Sequence, residues 1–416
     1  MARPAAVVAT VLALLLLPSV AEAAVGGRTP AHIPQLGQEL WRKPAKAAPK
    51  AVIRRAFGAP DKDRLGSAAA DNAGLVVYKI SVGVAGEVFS GVVDVATDFI
   101  WAQCPYGPGI STTGYISAEE VTAVGTHIAG RALFGCSLAS TVPLDGESGV
   151  LGFSRGPYSL LSQLQISRFS YLMLPDDADK PDSESVVLLG DAAVPQTNSS
   201  RSTPLLRSQA YPDLYLVNLT GIMVDGKILS GIPAGTFELA ANGCSGGVVM
   251  STLSPITYLQ PAAYDALTRA LVSKIRSQPA VVRAKAHDMA DLRLCYDVQS
   301  VANLTFPKIT LVFDGVDGRP APMELTTAHY FIRENSTGLG LQCLTMLPTP
   351  AGSPVGSVLG SLLQTGTHMI YDLRGGSLTF EKGGSPPAAA PATMTPQVSL
   401  MVMASVILAL ALLLFY

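Results

Sequence analysis

The chain has 416 residues, room for two lobes of ordinary size plus processing segments. Hydrophobic residues make up 48% and charged ones 14%, which permits a large core and argues against long disordered stretches. A formal net charge of -2 supplies no basic field of the kind nucleic acid demands, so no nucleic-acid partner is expected. Five cysteines, at 104, 136, 244, 295 and 343, form no C-x-x-C pair and lie near no histidine at zinc spacing. Neither a metal site nor a cofactor is expected.

Residues 1–23 carry Arg3, an apolar run from Ala5 to Leu17, a Pro18 break and Ala21-Glu22-Ala23. This pattern predicts a secretory signal cut after Ala23, and with it an extracellular or cell-surface location and an oxidising compartment. Residues 24–70 follow as a leader. Between 24 and 66 it holds nine Lys/Arg against three Asp/Glu, so a basic leader precedes an acidic body. From Leu75 the texture changes to short Val/Ile/Tyr-rich runs broken by Gly and Pro, among them Leu75–Val84, Gly86–Val93, Ser185–Gly190 and Tyr215–Val224. That is the pattern of an all-β protein.

Helical signals are few. Pro261–Ile275 has a Pro start and apolar residues Tyr264, Leu267, Leu271 and Ile275 three or four apart, and Tyr158–Leu164 is a shorter candidate. Sequons at Asn198, Asn218, Asn303 and Asn335 are candidate glycosylation sites. Residues 383–416 open on Gly383-Gly384-Ser385, continue through a Pro/Ala-rich spacer and end in an apolar tail, Val398–Tyr416. This order predicts a GPI-attachment signal at one of those three small residues, hence a lipid anchor in the plasma membrane. A single membrane-spanning helix is the other reading, but no Lys or Arg follows the tail to hold one in place.

Two stretches carry the chemistry. Gly91-Val92-Val93-Asp94-Val95-Ala96-Thr97-Asp98 delivers a carboxylate from an apolar run into a turn and leads on to Trp101-Ala102-Gln103-Cys104. Gly246-Gly247-Val248-Val249-Met250-Ser251-Thr252-Leu253-Ser254 repeats the design. Asp94 is followed by Val150-Leu151-Gly152, and Ser251 by Val358-Leu359-Gly360. Phe134-Gly135-Cys136, Arg155-Gly156-Pro157, Leu189-Gly190-Asp191, Thr203-Pro204-Leu205-Leu206, Leu294-Cys295-Tyr296 and Met369-Ile370-Tyr371-Asp372 fall between and after them.

In that order these runs resemble the pepsin-like aspartic peptidases, in their plant nepenthesin-like branch, over roughly Val77–Lys382. The resemblance implies a two-lobed acid-protease fold, with an N-terminal β lobe over 71–205, a C-terminal β lobe over 206–382 and a cleft between them for an extended peptide or protein ligand. It makes the leader a propeptide, and pairs Cys295 with Cys343. Cys104, Cys136 and Cys244 stay unassigned. Tyr106-Gly107-Pro108-Gly109 looks like the family's flap, with Tyr106 its covering residue. Tyr106 follows Asp94 by only 12 positions, so the first lobe reads as shortened.

The family cleaves peptides with two carboxylates that share one proton, one activating water while the other polarises the carbonyl. Here Ser251 stands where the second Asp belongs, and an alcohol cannot serve as acid or base at working pH. Asp94 alone is expected to titrate near the ordinary value of about 3.9, subject to burial. Val95 lacks the hydroxyl that braces the two turns, although Thr252 has it. Ala96 and Leu253 replace glycines, and Leu253 is expected to push its turn out of shape.

The reading is an aspartic peptidase homologue with proteolysis lost or impaired. The alternative is a working acid endopeptidase using Asp94. Without its partner, Asp94 can equally be an Asp that accepts backbone N–H groups in a tight turn. A rival motif, Gly152-Phe153-Ser154-Arg155-Gly156, fits the nucleophile elbow of α/β-hydrolases, but the β-rich texture argues against that fold.

Overall fold

A computed structural model of the chain describes residues 76–82, 87–103, 113–139, 149–174, 185–276, 282–283, 292–297, 305–334, 341–353 and 355–383. The expected signal segment and leader, Cys104, Tyr106, Asn303, Asn335, Gly384, Ser385 and the apolar tail lie outside the described residues.

Strands β1 (Val77–Val82), β2 (Glu87–Asp94), β3 (Trp101–Gln103), β4 (Thr113–Ala123), β5 (Ala129–Ala139) and β6 (Gly149–Gly152) close into a barrel in the order β1-β2-β6-β3-β5-β4. Val76, Ile80, Val93, Val121 and Leu151 fill its interior, each essentially sealed from solvent. Period-two alternation explains this choice: in β4, Val121 and Ala123 are buried and Glu120 is exposed. A single-turn helix, α1 (Leu160–Gln163), is capped by Ser159, whose hydroxyl accepts from the Ser162 N–H. Strands β7 (Arg168–Leu172), β8 (Val186–Leu189) and β9 (Arg201–Pro204) follow.

The second half runs β10 (Leu216–Val217), β11 (Leu219–Val224), β12 (Lys227–Ile228), β13 (Gly246–Met250), β14 (Thr257–Leu259), helix α2 (Pro261–Arg276) and β15 (Val282–Arg283). It continues with β16 (Cys295–Asp297), β17 (Ile309–Phe313), β18 (Ala321–Leu325), helix α3 (Thr327–Tyr330), β19 (Phe331–Glu334), β20 (Leu341–Leu344), β21 (Met346–Pro348) and β22 (Val355–Leu359). These strands form three sheets, ordered β10-β13-β22-β14-β21, β12-β11-β17-β18 and β15-β16-β20-β19. Helix α2 starts on the expected Pro261 and buries Tyr264, Leu267, Leu271 and Ile275, the stripe its spacing predicted. Cys295 and Cys343 sit directly opposite each other on β16 and β20 and are joined by a disulfide.

The chain then returns. Strands β23 (Thr367–Asp372) and β24 (Ser377–Lys382) pair with β7 and β9, giving a central sheet in the order β8-β7-β23-β24-β9. Segments far apart in sequence therefore share one sheet, and an aromatic cluster packs against it. Phe169 stacks on Tyr371 at 4.5 Å between ring centroids, with Phe153 edge-on to Phe169 at 5.4 Å and Tyr215 at 4.9 Å from Tyr371. Aromatic pairs at such spacings add to the area they bury. The Tyr215 hydroxyl donates to the Phe153 carbonyl at 2.8 Å, tying the start of the second half to the first-lobe strand that ends beneath Asp94.

Candidate functional site

Asp94 ends β2, and the duplicated design of the sequence becomes a duplicated structure around it. Strand β6 runs parallel to β2 with Gly152 beside Asp94, and β22 runs parallel to β13 with Leu359 beside Met250, the residue before Ser251. Each turn rests on a glycine. A Cβ on Gly152 would stand 2.5 Å from the Thr97 carbonyl oxygen and 2.7 Å from the Phe99 nitrogen. A Cβ on Gly360 would stand 2.6 Å from the Ile256 carbonyl. Backbone lies against backbone in both places, so only glycine fits.

The buried Asp94 carboxyl accepts the Ala96 N–H at 2.9 Å and the Thr97 hydroxyl. In the second turn the buried Ser251 hydroxyl accepts the Ser254 N–H at 3.2 Å, the same three-residue offset. The turns meet through Thr252. Its hydroxyl accepts the Val95 N–H at 3.2 Å and donates to the Val93 carbonyl at 2.7 Å. Val95 has no hydroxyl to return the contact and is buried in the core instead. Half of a reciprocal brace is present.

The distortion expected from Leu253 is not what the turn displays. Neither Ala96 nor Leu253 has a positive φ, Leu253 turns its side chain outward with 40% exposure, and the Thr252 brace forms beside it. A residue that points away from the crowded backbone does not need to be glycine.

Burial pushes the Asp94 carboxyl above its ordinary value, and the hydrogen bonds from Thr97 and Ala96 only partly oppose this. The expectation of a near-ordinary titration therefore gives way to a raised one. Among the described residues its hydrogen-bond partners come from its own turn, and no carboxylate from across the groove is one of them.

Asp98 plays a different part. Its carboxyl accepts the Tyr158 N–H at 3.1 Å and occupies the space above Gly156, where a Cβ would fall 1.9 Å from the Asp98 oxygen. Burial raises it to about 6; the Tyr158 N–H opposes this and the charge of Asp213 adds to it. Asp98 is a structural cap on the Gly156–Ser159 turn. Ser154 of the rival elbow is wholly buried, and its hydroxyl accepts the Gly156 N–H at 3.0 Å. No nucleophile is presented there.

Two contributors were not singled out in the sequence. Thr97 holds the Asp94 carboxyl, and the repeat could have revealed it, because Ser254 occupies the matching place after Ser251. Gln364 donates to the Ser251 carbonyl at 2.8 Å while its amide oxygen accepts the Tyr171 hydroxyl, which lies 3.1 Å from that of Tyr371. A buried polar chain thus runs from the central sheet to the second turn. Nothing local in Ser361-Leu362-Leu363-Gln364 marks it.

Comparison with known proteins agrees with this geometry. The family description "Xylanase inhibitor N-terminal" matches residues 105–191 and "Xylanase inhibitor C-terminal" matches 214–382, together more than half of the chain. Aspartic proteinase nepenthesin-1 of Nepenthes gracilis is 26% identical over 358 residues, 74% of this chain and 77% of its own length. The chain belongs to the pepsin-like aspartic peptidase family, in its plant nepenthesin-like branch.

Other pepsin-like relatives include nepenthesin-2 of the same plant, 28% identical over 74% of this chain and 77% of its own, and Aspartyl protease 37 of Oryza sativa subsp. japonica, 26% identical over 74% and 80%. Basic 7S globulin from soybean superposes with a TM-score of 0.56 at 18% identity, covering 76% of this chain and 98% of that one. The crystal structure of edgp gives 0.55 at 15%, covering 75% of this chain and 95% of that one. At such identities the superpositions speak for the fold, and the fold they speak for is the pepsin-like one.

Proposed function

We propose that this pepsin-like homologue is proteolytically inactive or severely impaired and holds a peptide or protein ligand in the cleft between its lobes. The observation that carries the reading is Ser251 in the second turn, opposite a buried Asp94 whose hydrogen-bond partners are Ala96 and Thr97. Peptide hydrolysis needs a base for water and an acid for the scissile carbonyl at the same moment. Asp94 can be one or the other. Protonated, it cannot activate water; ionised, it has no proton to lend, and the Ser251 hydroxyl cannot replace it. The Ser251 hydroxyl still has a proton to offer a ligand carbonyl while its oxygen holds the Ser254 N–H. The xylanase-inhibitor names of the matched halves support a protein ligand. The expected signal segment and lipid anchor would place this binding at the cell surface.

The second reading, a working acid endopeptidase, is favoured by the retained Asp94 turn and the formed Thr252 brace. One assay separates the two. The secreted chain, freed of its leader, is incubated with a casein substrate at acidic pH, alongside Asp94→Ala and the double variant Ser251→Asp, Leu253→Gly. No cleavage above the Asp94→Ala background is expected from the wild type, and a gain from the double variant. Pepstatin-sensitive cleavage by the wild type, abolished by Asp94→Ala, would establish the peptidase instead.

A further inference from the structure

We infer that, of the two sequons within the described residues, Asn198 carries an N-linked glycan in the folded protein and Asn218 does not. The inference uses the secretory route expected from residues 1–23 and is independent of what the cleft does. The transfer is a substitution at the sugar's anomeric carbon. The Asn amide nitrogen attacks the anomeric carbon of a lipid-linked oligosaccharyl pyrophosphate. A C–N bond forms as the C–O bond to the pyrophosphate breaks, and the amide gives up one proton. The product must leave the protein surface as a bulky, hydrated branch.

Asn198 meets that requirement. It is exposed at a turn between the central-sheet strands β8 and β9, with exposed Thr197 and Ser199 on either side. The turn is held from below by Glu381 on β24. Its carboxylate accepts the Gln196 N–H at 2.7 Å, the Thr197 N–H at 2.8 Å and the Thr197 hydroxyl at 2.7 Å. The buried His368 ring nitrogen Nδ1 lies 3.0 Å from the same carboxylate. The bonds to Glu381 come from Gln196 and Thr197, before the acceptor, and the Ser199 and Ser200 carbonyls after it accept from Arg201, so exposed Asn198 stands on a fixed base.

Asn218, by contrast, is half-buried and built into a strand junction. It sits between β10 and β11, and its carbonyl accepts the Asp314 N–H at 3.0 Å. Its side-chain oxygen is sealed from solvent without a hydrogen-bond partner. The Thr220 hydroxyl of the same sequon donates to the Val312 carbonyl at 2.9 Å, within the pairing of β11 with β17. A branch on Asn218 would crowd the junction that the Asp314 N–H and the Val312 carbonyl hold together, so secreted folded molecules are expected to be bare there.

The full chain is expressed in a eukaryotic secretory host and mapped by peptide mass spectrometry after enzymatic deglycosylation in heavy-oxygen water, which marks each formerly occupied Asn as a labelled Asp. Near-complete labelling at Asn198 and none at Asn218 is expected. Ser200→Ala should abolish the label at Asn198 while leaving Asn218 unlabelled. Labelling at Asn218, or a bare Asn198 in the secreted protein, would overturn the inference.

Discussion

Asp94 and Asp98 lie four residues apart, and both are pushed up by burial, but for different ends. Asp94 fills its carboxyl with donors from its own turn, while Asp98 caps another. The folded value of Asp98 is about 6, above the unfolded value of about 3.9. Its contribution is therefore complete below pH about 4 and lost as the pH rises through 6. Asp98→Asn keeps the acceptor for Tyr158 N–H, so it should be more stable than wild type at pH 7, with the gap closing by pH about 4 in denaturant titrations. Glu381 and Asp372 run the other way. Burial works against their ionisation, but backbone donors with His368 and Arg168 respectively hold them below the ordinary range. Their contribution is present above about 4 and lost at lower pH. The Thr252 hydroxyl makes two buried bonds, and Thr252→Val should cost about 2 kcal/mol by the same titrations, as expected for stranding the Val95 N–H and the Val93 carbonyl.

At the scale of elements, the turns are the repeated unit, and their glycines supply a matched test. Gly152→Ala and Gly360→Ala each force a Cβ into backbone at 2.7 Å or less, so each should lower the melting temperature strongly and to a similar degree. Tolerance of one but not the other would deny that the turns are equivalent. The Cys295–Cys343 bridge closes a separation of 48 residues, and replacing both cysteines by alanine should cost about 4 kcal/mol, read from unfolding midpoints. Much of this level was legible beforehand. Strands β1, β2, β8 and β11 and helix α2 fall where Val/Ile-rich runs and a three-to-four spacing put them. The apolar-apolar-Gly runs lie beneath the turns because Asp94 pairs with Gly152 and Met250 with Leu359. The disulfide came through family resemblance, since spacing alone does not choose among five cysteines.

Seen as a whole molecule, the least legible feature is the return of β23 and β24 to β7 and β9. It joins Arg168 to Asp372 in an ion pair at 2.7 Å and brings Tyr171 to 3.1 Å from Tyr371, pairings some two hundred residues apart that no local pattern encodes. The Gln364 chain to Ser251 was hidden for the same reason. Because both halves share this sheet and its aromatic cluster, calorimetry should give one cooperative unfolding transition; two separate ones would mean the halves are independent. The same architecture decides the chemistry, since any partner for Asp94 must come from the opposite side of the assembled cleft.

The most direct measurement is a pH titration of the Asp94 carboxyl by carbon NMR in the folded chain. A lone acid gives a single step, raised above the usual carboxylate range and unmoved when other carboxylates are replaced. Two coupled steps would reveal a second acid sharing its proton, and the claim of a broken dyad would be wrong.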